Sequence, residues 1–253
     1  MPIPEEWNLS GKSIVLTTGS RGWAPILAEG LAEAGADLAI IGHRPEVLRS
    51  ASEAVEKYER RVVTIPADLK DPQEARRAIQ EALRFLGKVD ALVNDPQVEF
   101  AKPVLEITPE ELDAVLGRNV KSVFFCCQEA GRIMMEQGGG RIVNLSSVLA
   151  ERGVSNETVY CASMGAVEQL TRSLALEWAK SGITVNGIGT AWYTLEDIPV
   201  EQQQEDPLVR YLPSRRLGHP REIVPLLVLL CSDASSYVNG QTIFVDGGAM
   251  THA

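Results

Sequence analysis

Along the chain, short runs of apolar and β-branched residues alternate with longer stretches whose apolar positions recur every three to four residues. The short runs predict strands at 13–18, 37–42, 62–66, 89–94, 140–146, 183–189 and 242–246. The longer stretches predict helices at 24–34, 45–58, 72–85, 109–136, 157–181 and 221–230. Several of the strands are apolar almost throughout, as in Ala39-Ile40-Ile41 and Ile142-Val143. A strand without a polar side is buried on both faces, as it is in a parallel sheet covered by helices. Strict alternation of strand and helix, with right-handed crossovers, then predicts an α/β fold with a doubly wound parallel sheet.

One stretch breaks the alternation. Residues 190–213 are polar and rich in Glu and Gln, and a connection this long inside a packed domain usually serves a function. The expectation is a single domain over 1–253, with a substrate flap at about 190–213. Net charge is −10, which repels nucleic acid and anionic membrane surfaces and excludes both as partners. No apolar run reaches the ~18 residues of a membrane span. The start, Met1-Pro2-Ile3-Pro4-Glu5-Glu6-Trp7, has neither a basic nor an apolar export segment, so a cytoplasmic location is expected. Cys126, Cys127, Cys161 and Cys231 lack CxxC spacing. They read as buried thiols of a reducing compartment rather than as disulfides or metal ligands.

Chemistry enters at the first strand-turn-helix, Thr17-Thr18-Gly19-Ser20-Arg21-Gly22-Trp23-Ala24-Pro25. A glycine-bearing turn leaving the first strand is where a pyrophosphate meets backbone N–H groups and a helix N-terminus. The spacing is not GxGxxG, so a plain β-α turn is an equal reading. Further along, Tyr160 stands near the start of a long helix, with Ser147 13 residues before it at the end of a strand. Asn119 lies in the preceding helix, and the chain closes on Tyr237-Val238-Asn239-Gly240-Gln241-Thr242-Ile243-Phe244-Val245-Asp246-Gly247-Gly248.

Together these blocks resemble the short-chain dehydrogenase/reductase family over essentially the whole chain. The resemblance implies a Rossmann-type sheet of seven strands, NADP(H) or NAD(H) as cofactor, and hydride exchange with a small carbonyl or alcohol substrate. It gives Tyr160 the role of general acid/base, Ser147 that of holding the substrate oxygen, and Asn119 that of organising a relay water. It places the cofactor against Thr17, Gly19, Ser20, Arg21, Gly22, Trp23, Asp68, Leu69 and Asn94, with Asp68 at the adenine. The second strand ends Ile41-Gly42-His43-Arg44, with no carboxylate for a ribose 2′-hydroxyl. Arg44, with Arg21, is instead suited to a 2′-phosphate, so NADP(H) is expected over NAD(H). The family also assembles through its two long helices, here 109–136 and 157–181, which implies a dimer or tetramer, or a mixed oligomer with an active partner.

The chain departs from the family pattern at four places. The catalytic helix carries Tyr-x-x-x-Lys in the family and Tyr160-Cys161-Ala162-Ser163-Met164 here. Position 164 shares a helix face with Tyr160, and methionine neither lowers the tyrosine pKa nor bonds a ribose. The Thr-Gly-x-x-x-Gly-x-Gly turn keeps only Gly22 in register. Asn-Asn-Ala-Gly after the fourth strand is Asn94-Asp95-Pro96-Gln97, and Pro-Gly after the sixth is Thr190-Ala191. Three functions stay open. One is an NADP(H)-linked oxidoreductase with its tyrosine activated otherwise. Another is a non-redox lyase, epimerase or dehalogenase using the Ser–Tyr pair, its cleft partly filled by Trp23 and Gln97. The last is a catalytically silent partner subunit.

Overall fold

The computed structural model describes residues 5–95 and 97–251; Pro96 and the first four residues of the export-signal reading lie outside them. The described strands are β1 (Ser13–Thr18), β2 (Asp37–Gly42), β3 (Val62–Pro66), β4 (Ala91–Asp95), β5 (Gly140–Ser147), β6 (Ile183–Thr190) and β7 (Thr242–Val245). They form one seven-stranded sheet in the order β3-β2-β1-β4-β5-β6-β7, every neighbouring pair parallel, as expected.

Helices α1 (Ala24–Glu33), α2 (Pro45–Glu56), α3 (Pro72–Leu86), α4 (Pro109–Leu116), α5 (Ser122–Gln137) and α6 (Thr158–Trp178) follow the apolar periods. Local signals set their ends. Asp71 accepts hydrogen bonds from the Gln73 and Glu74 amides at the start of α3, and Gly87 closes it at φ 83°. Thr108 and Glu111 exchange side-chain and backbone bonds as a capping box at the start of α4. The continuous helix expected over 109–136 is interrupted by a π-turn at Gly117–Lys121, which contains Asn119. A wider turn of this kind marks a strained or functional place in a helix. The flap holds two short helices, α7 (Val200–Gln203) and α8 (Pro207–Tyr211), and α9 (Val224–Cys231) precedes the last strand.

Two apolar layers sandwich the sheet. Ile79, Val123, Cys127, Val167 and Leu174 pack α3, α5 and α6 on one face. Leu27, Leu31, Leu48, Leu227 and Leu230 pack α1, α2 and α9 on the other. Each such side chain contributes about 1.5–3 kcal/mol when removed from water. Among the described residues no helix is long and apolar enough to cross a membrane. From β1 the chain winds outward through β2 and β3, then restarts at β4 on the other side. The carboxyl ends of β1 and β4 therefore flank the crevice where an open α/β sheet binds ligands.

Candidate active site

At that crevice β1 and β4 run in register, Thr17 beside Asn94 and Thr18 beside Asp95. Thr17 and Asn94, both expected on the cofactor, are fully buried and turned into the sheet. The Thr17 hydroxyl donates to Asn94 Oδ1 at 3.3 Å, and Asn94 Nδ2 donates to Asn144 Oδ1 at 2.8 Å. Their side chains tie strands together and do not face a ligand.

The turn after β1 has absorbed its departures physically. Thr18 stands where the family has glycine, and its Oγ1 lies 2.2 Å from where a Cβ on Gly42 would fall. The added side chain is tolerated because the neighbouring strand has none there. Gly22 has φ 74°, a left-handed backbone that favours glycine, which explains why this one is retained. Trp23 then begins α1 and is buried, its ring 5.1 Å from that of Tyr193 in the flap.

Arg21 does not project toward a 2′-phosphate, which corrects the sequence expectation. Its Nη2 meets Asp95 Oδ1 at 2.7 Å, with the two side chains only 6% and 3% exposed. Nη1 donates to Thr190 Oγ1 at 3.1 Å, and the guanidinium carbon lies 3.5 Å from the Trp23 ring centroid. Burial pushes the Asp95 carboxyl up against the pull of this guanidinium. Two departures from the family pattern, Asp95 and Thr190, are thus the partners of Arg21.

Beside this pair, Gln97 is 1% exposed and spans the cleft. Its Oε1 accepts the Tyr160 hydroxyl at 2.8 Å and its Nε2 donates to the Ser146 carbonyl at 3.2 Å. Its own carbonyl accepts both the amide and the hydroxyl of Ser20, at 3.1 and 2.9 Å. Burial pushes the Tyr160 hydroxyl up to about 12, with Arg21 and Ser147 pulling the other way. Ser147 and Tyr160 are therefore brought together as expected, though the Ser147 oxygen also accepts the Leu149 amide at 3.2 Å. Met164 is fully buried in the apolar layer and brings no charge to the tyrosine.

Asn119 is placed close by but is committed elsewhere. Its Oδ1 accepts the Val98 amide at 2.8 Å, and its Nδ2 donates to the Val98 carbonyl and to Ser163 Oγ, both at 3.0 Å. Its side chain fixes the loop that carries Gln97.

The remaining expected residues gather at the far end of the cleft. Thr18, Gly19, Gly42, His43, Asp68, Leu69, Lys70 and Arg118 line an open groove. Arg44 Nη2 donates to the Ser20 carbonyl at 3.1 Å, so it braces the turn while its side chain stays 33% exposed. Arg118 Nη1 lies 3.3 Å from His43 Nε2, and burial and this cation both push the His43 pKa down. Lys70 and Arg118 escaped the sequence reading, although they adjoin Leu69 and Asn119.

A dinucleotide would have to run from this groove past the β1 turn toward the flap. The adenosine end offers matching chemistry: Asp68, expected at the adenine, lines the groove with its carboxylate 2.9 Å from Lys70 Nζ, and Lys70 and Arg118 form a cationic rim suited to a phosphate. The other end does not fit as the side chains stand. The next cavity is lined by Ser20, Arg21, Trp23, Glu99, Glu196 and Asp206 among others, and shares no lining residue with the groove. Among the described residues that line it, the one arginine is already paired, and the three carboxylates oppose a diphosphate. Among the described residues no group of His, Cys, Asp or Glu is arranged to hold a metal.

Comparison with known proteins agrees with this architecture. The family model described as enoyl-(acyl carrier protein) reductase matches residues 18–250. Gluconate 5-dehydrogenase of Gluconobacter oxydans is 33% identical, with 98% of each chain covered. The 2-dehydro-3-deoxy-D-gluconate 5-dehydrogenase of Dickeya dadantii is 36% identical over 97% of this chain and 98% of that one. Among solved structures, a gluconate 5-dehydrogenase from Burkholderia cenocepacia in complex with NADP and tartrate superposes with a TM-score of 0.89 at 31% identity, over 98% and 99% of the two chains. A short-chain type dehydrogenase/reductase from Mycobacterium marinum superposes over the whole of both chains with a TM-score of 0.91 at 28% identity. With its sheet order, its Ser147–Tyr160 pair and these relatives, the chain belongs to the short-chain dehydrogenase/reductase family of oxidoreductases.

Proposed function

We propose that the protein is an NADP(H)-linked oxidoreductase that works as a reductase of a small carbonyl compound, with Tyr160 as proton donor and Ser147 holding the carbonyl oxygen. The observation that carries this reading is the neutral Tyr160 hydroxyl beside Ser147, its pKa pushed up to about 12. Oxidation of an alcohol needs a base on the oxygen, whereas burial, with methionine at position 164, keeps Tyr160 in its neutral form. Reduction of a carbonyl needs a proton delivered to the oxygen, which the neutral form supplies. NADP(H) brings hydride chemistry; the protein's part is to hold and protonate the oxygen. The residues at the end of β2 and the relative solved with NADP support NADP(H) over NAD(H).

The segment 190–213 is the substrate flap of this reading, walling the larger cavity with Trp192, Tyr193 and Leu195. The chain assembles with copies of itself through the faces of α5 and α6, where Phe124, Met135 and Leu176 stand exposed. It works in the cytoplasm, as its unpaired thiols support.

Oxidation of NADPH followed at 340 nm over a panel of small ketones and aldehydes tests the reading. Turnover is expected, and Tyr160→Phe should lower it by about 10²–10⁴-fold. Turnover indifferent to Tyr160→Phe, or absent from every carbonyl tried, would refute it. A second reading, a silent partner subunit, is favoured by the Gln97–Tyr160 bond and by buried Met164. It requires that assembly survive Tyr160→Phe while no turnover occurs.

A further inference from the structure

Consecutive residues of the turn after β1 line the two spaces, Thr18 and Gly19 the groove, and Ser20, Arg21 and Trp23 the larger cavity. Around that turn a set of side chains is locked to one another. Arg21 is held by Asp95, Thr190 and the Trp23 ring, and Gln97 by Tyr160 and the Ser146 carbonyl. The two halves are stitched together by two hydrogen bonds, which the Ser20 amide and hydroxyl donate to the Gln97 carbonyl. The flap rests on the same unit, since a Cβ on Gly22 would lie 3.3 Å from the Leu195 side chain.

We propose that Arg21, Gln97 and Trp23 form a partition across the cleft, admitting the adenosine 2′-phosphate half of NADP(H) and shutting out the diphosphate-nicotinamide half until it opens. The inference rests on the NADP(H) reading above. Three features make the partition a built element rather than a loose side chain. Every polar end of Gln97 has a partner, so swinging it out leaves Tyr160 and the Ser146 carbonyl unpaired in a buried place. Arg21 cannot leave without stranding the Asp95 carboxylate. Ser20 links the β1 turn to the Gln97 loop, so the two move together. Opening the partition frees the Tyr160 hydroxyl and the Arg21 guanidinium in one event. The first is then available to a substrate oxygen, and the second is the one cation lining the larger cavity that can meet a diphosphate.

Calorimetric titration of the full-length protein with adenosine 2′,5′-bisphosphate and with NADPH tests this without reference to turnover. In the wild type the two are expected to bind with dissociation constants within about threefold, because the nicotinamide half adds nothing. In Gln97→Gly, NADPH should bind at least tenfold more tightly than the bisphosphate, whose own affinity stays unchanged and so reports an intact fold. If Gln97→Gly does not fold, Gln97→Ala also releases Tyr160 and the Ser146 carbonyl while leaving Arg21 in place, and the same tenfold preference for NADPH is expected of it. NADPH at least tenfold tighter than the bisphosphate in the wild type would overturn the proposal, leaving the NADP(H) reading intact. Equal affinities in wild type and variant would overturn it as well. Absence of binding by either compound to either protein would remove the NADP(H) reading itself, and this inference with it.

Discussion

Replacing Arg21 by alanine takes away a guanidinium whose side chain is 6% exposed and leaves behind an Asp95 side chain that is 3% exposed. Breaking a buried pair from one side costs about 3–5 kcal/mol, because the remaining charge keeps its desolvation penalty. The stack on Trp23 adds about 1–2 kcal/mol for a cation held away from water. Thr190 loses little, since its hydroxyl still donates to the Ser146 carbonyl at 2.9 Å. Part of the loss is recovered because burial already pushes the Asp95 carboxyl up, so the stranded group takes a proton. The expected net loss is about 3–5 kcal/mol, a large fraction of the ~5–15 kcal/mol that holds a folded domain. Arg21→Ala/Asp95→Ala removes both charges and should cost about 1–2 kcal/mol more than wild type, so the single changes should not add. Guanidinium denaturation followed by tryptophan fluorescence, at one protein concentration and with equal slopes, measures each corner of the cycle. A loss under about 1 kcal/mol for Arg21→Ala, or a coupling near zero, would mean that the guanidinium is solvated, and the partition argument would fail.

Three further outcomes follow from other parts of the molecule. If Tyr160 stays neutral until about pH 12, alcohol oxidation should climb roughly tenfold per pH unit from pH 8 to 11 while carbonyl reduction stays flat. An oxidation rate that levels off near pH 7–8 would contradict this. Glu222, pulled down to about 2 by hydrogen bonds from Arg216, contributes stability that is present above its ordinary pKa near 4.5 and lost as the pH falls toward 2. Its side chain is 42% exposed, so Glu222→Gln should cost only about 1 kcal/mol at pH 7 and nothing at pH 2, which urea midpoints at the two pH values would reveal. Gly42→Ala would put its Cβ 2.2 Å from Thr18 Oγ1 and should cost about 1–3 kcal/mol, read as a lower melting temperature. Adding Thr18→Ala should restore most of that loss, and failure to do so would place the strain elsewhere.

The sheet was legible because burial on both faces leaves a trace in composition: Ala39-Ile40-Ile41 and Ile142-Val143 have no polar side to show. Boundaries shifted where backbone geometry, not hydrophobicity, decides them, as at the π-turn of Gly117–Lys121. Ser147 and Tyr160 could be read because they stand where the family that the chain resembles carries its serine and tyrosine. Arg21 was legible as a cation near the cofactor turn, but its direction was not. The expected partner is a 2′-phosphate, whereas the partner in the fold, the Asp95 carboxylate, lies 74 positions away.

The departures from the family pattern carry the sharper lesson, because in sequence each looks like a separate loss. In space they answer one another. Thr18, which replaces a glycine, fits against Gly42. Arg21, in the altered turn, bonds to Asp95 and Thr190, which replace an asparagine and a proline in two other motifs. Gln97, which replaces a glycine, accepts the hydroxyl of Tyr160, whose helical neighbour Met164 supplies no ammonium to compete for it. A cleft decaying by independent changes would leave unpaired buried groups, each costing about 1–3 kcal/mol. Here Arg21, Asp95, Thr190, Gln97 and Tyr160 bond to one another, with Arg21 Nε a buried atom left without a partner. The altered site is one coordinated construction, and a reversal of any single member, such as Met164→Lys alone, should restore less than a reversal that includes Gln97.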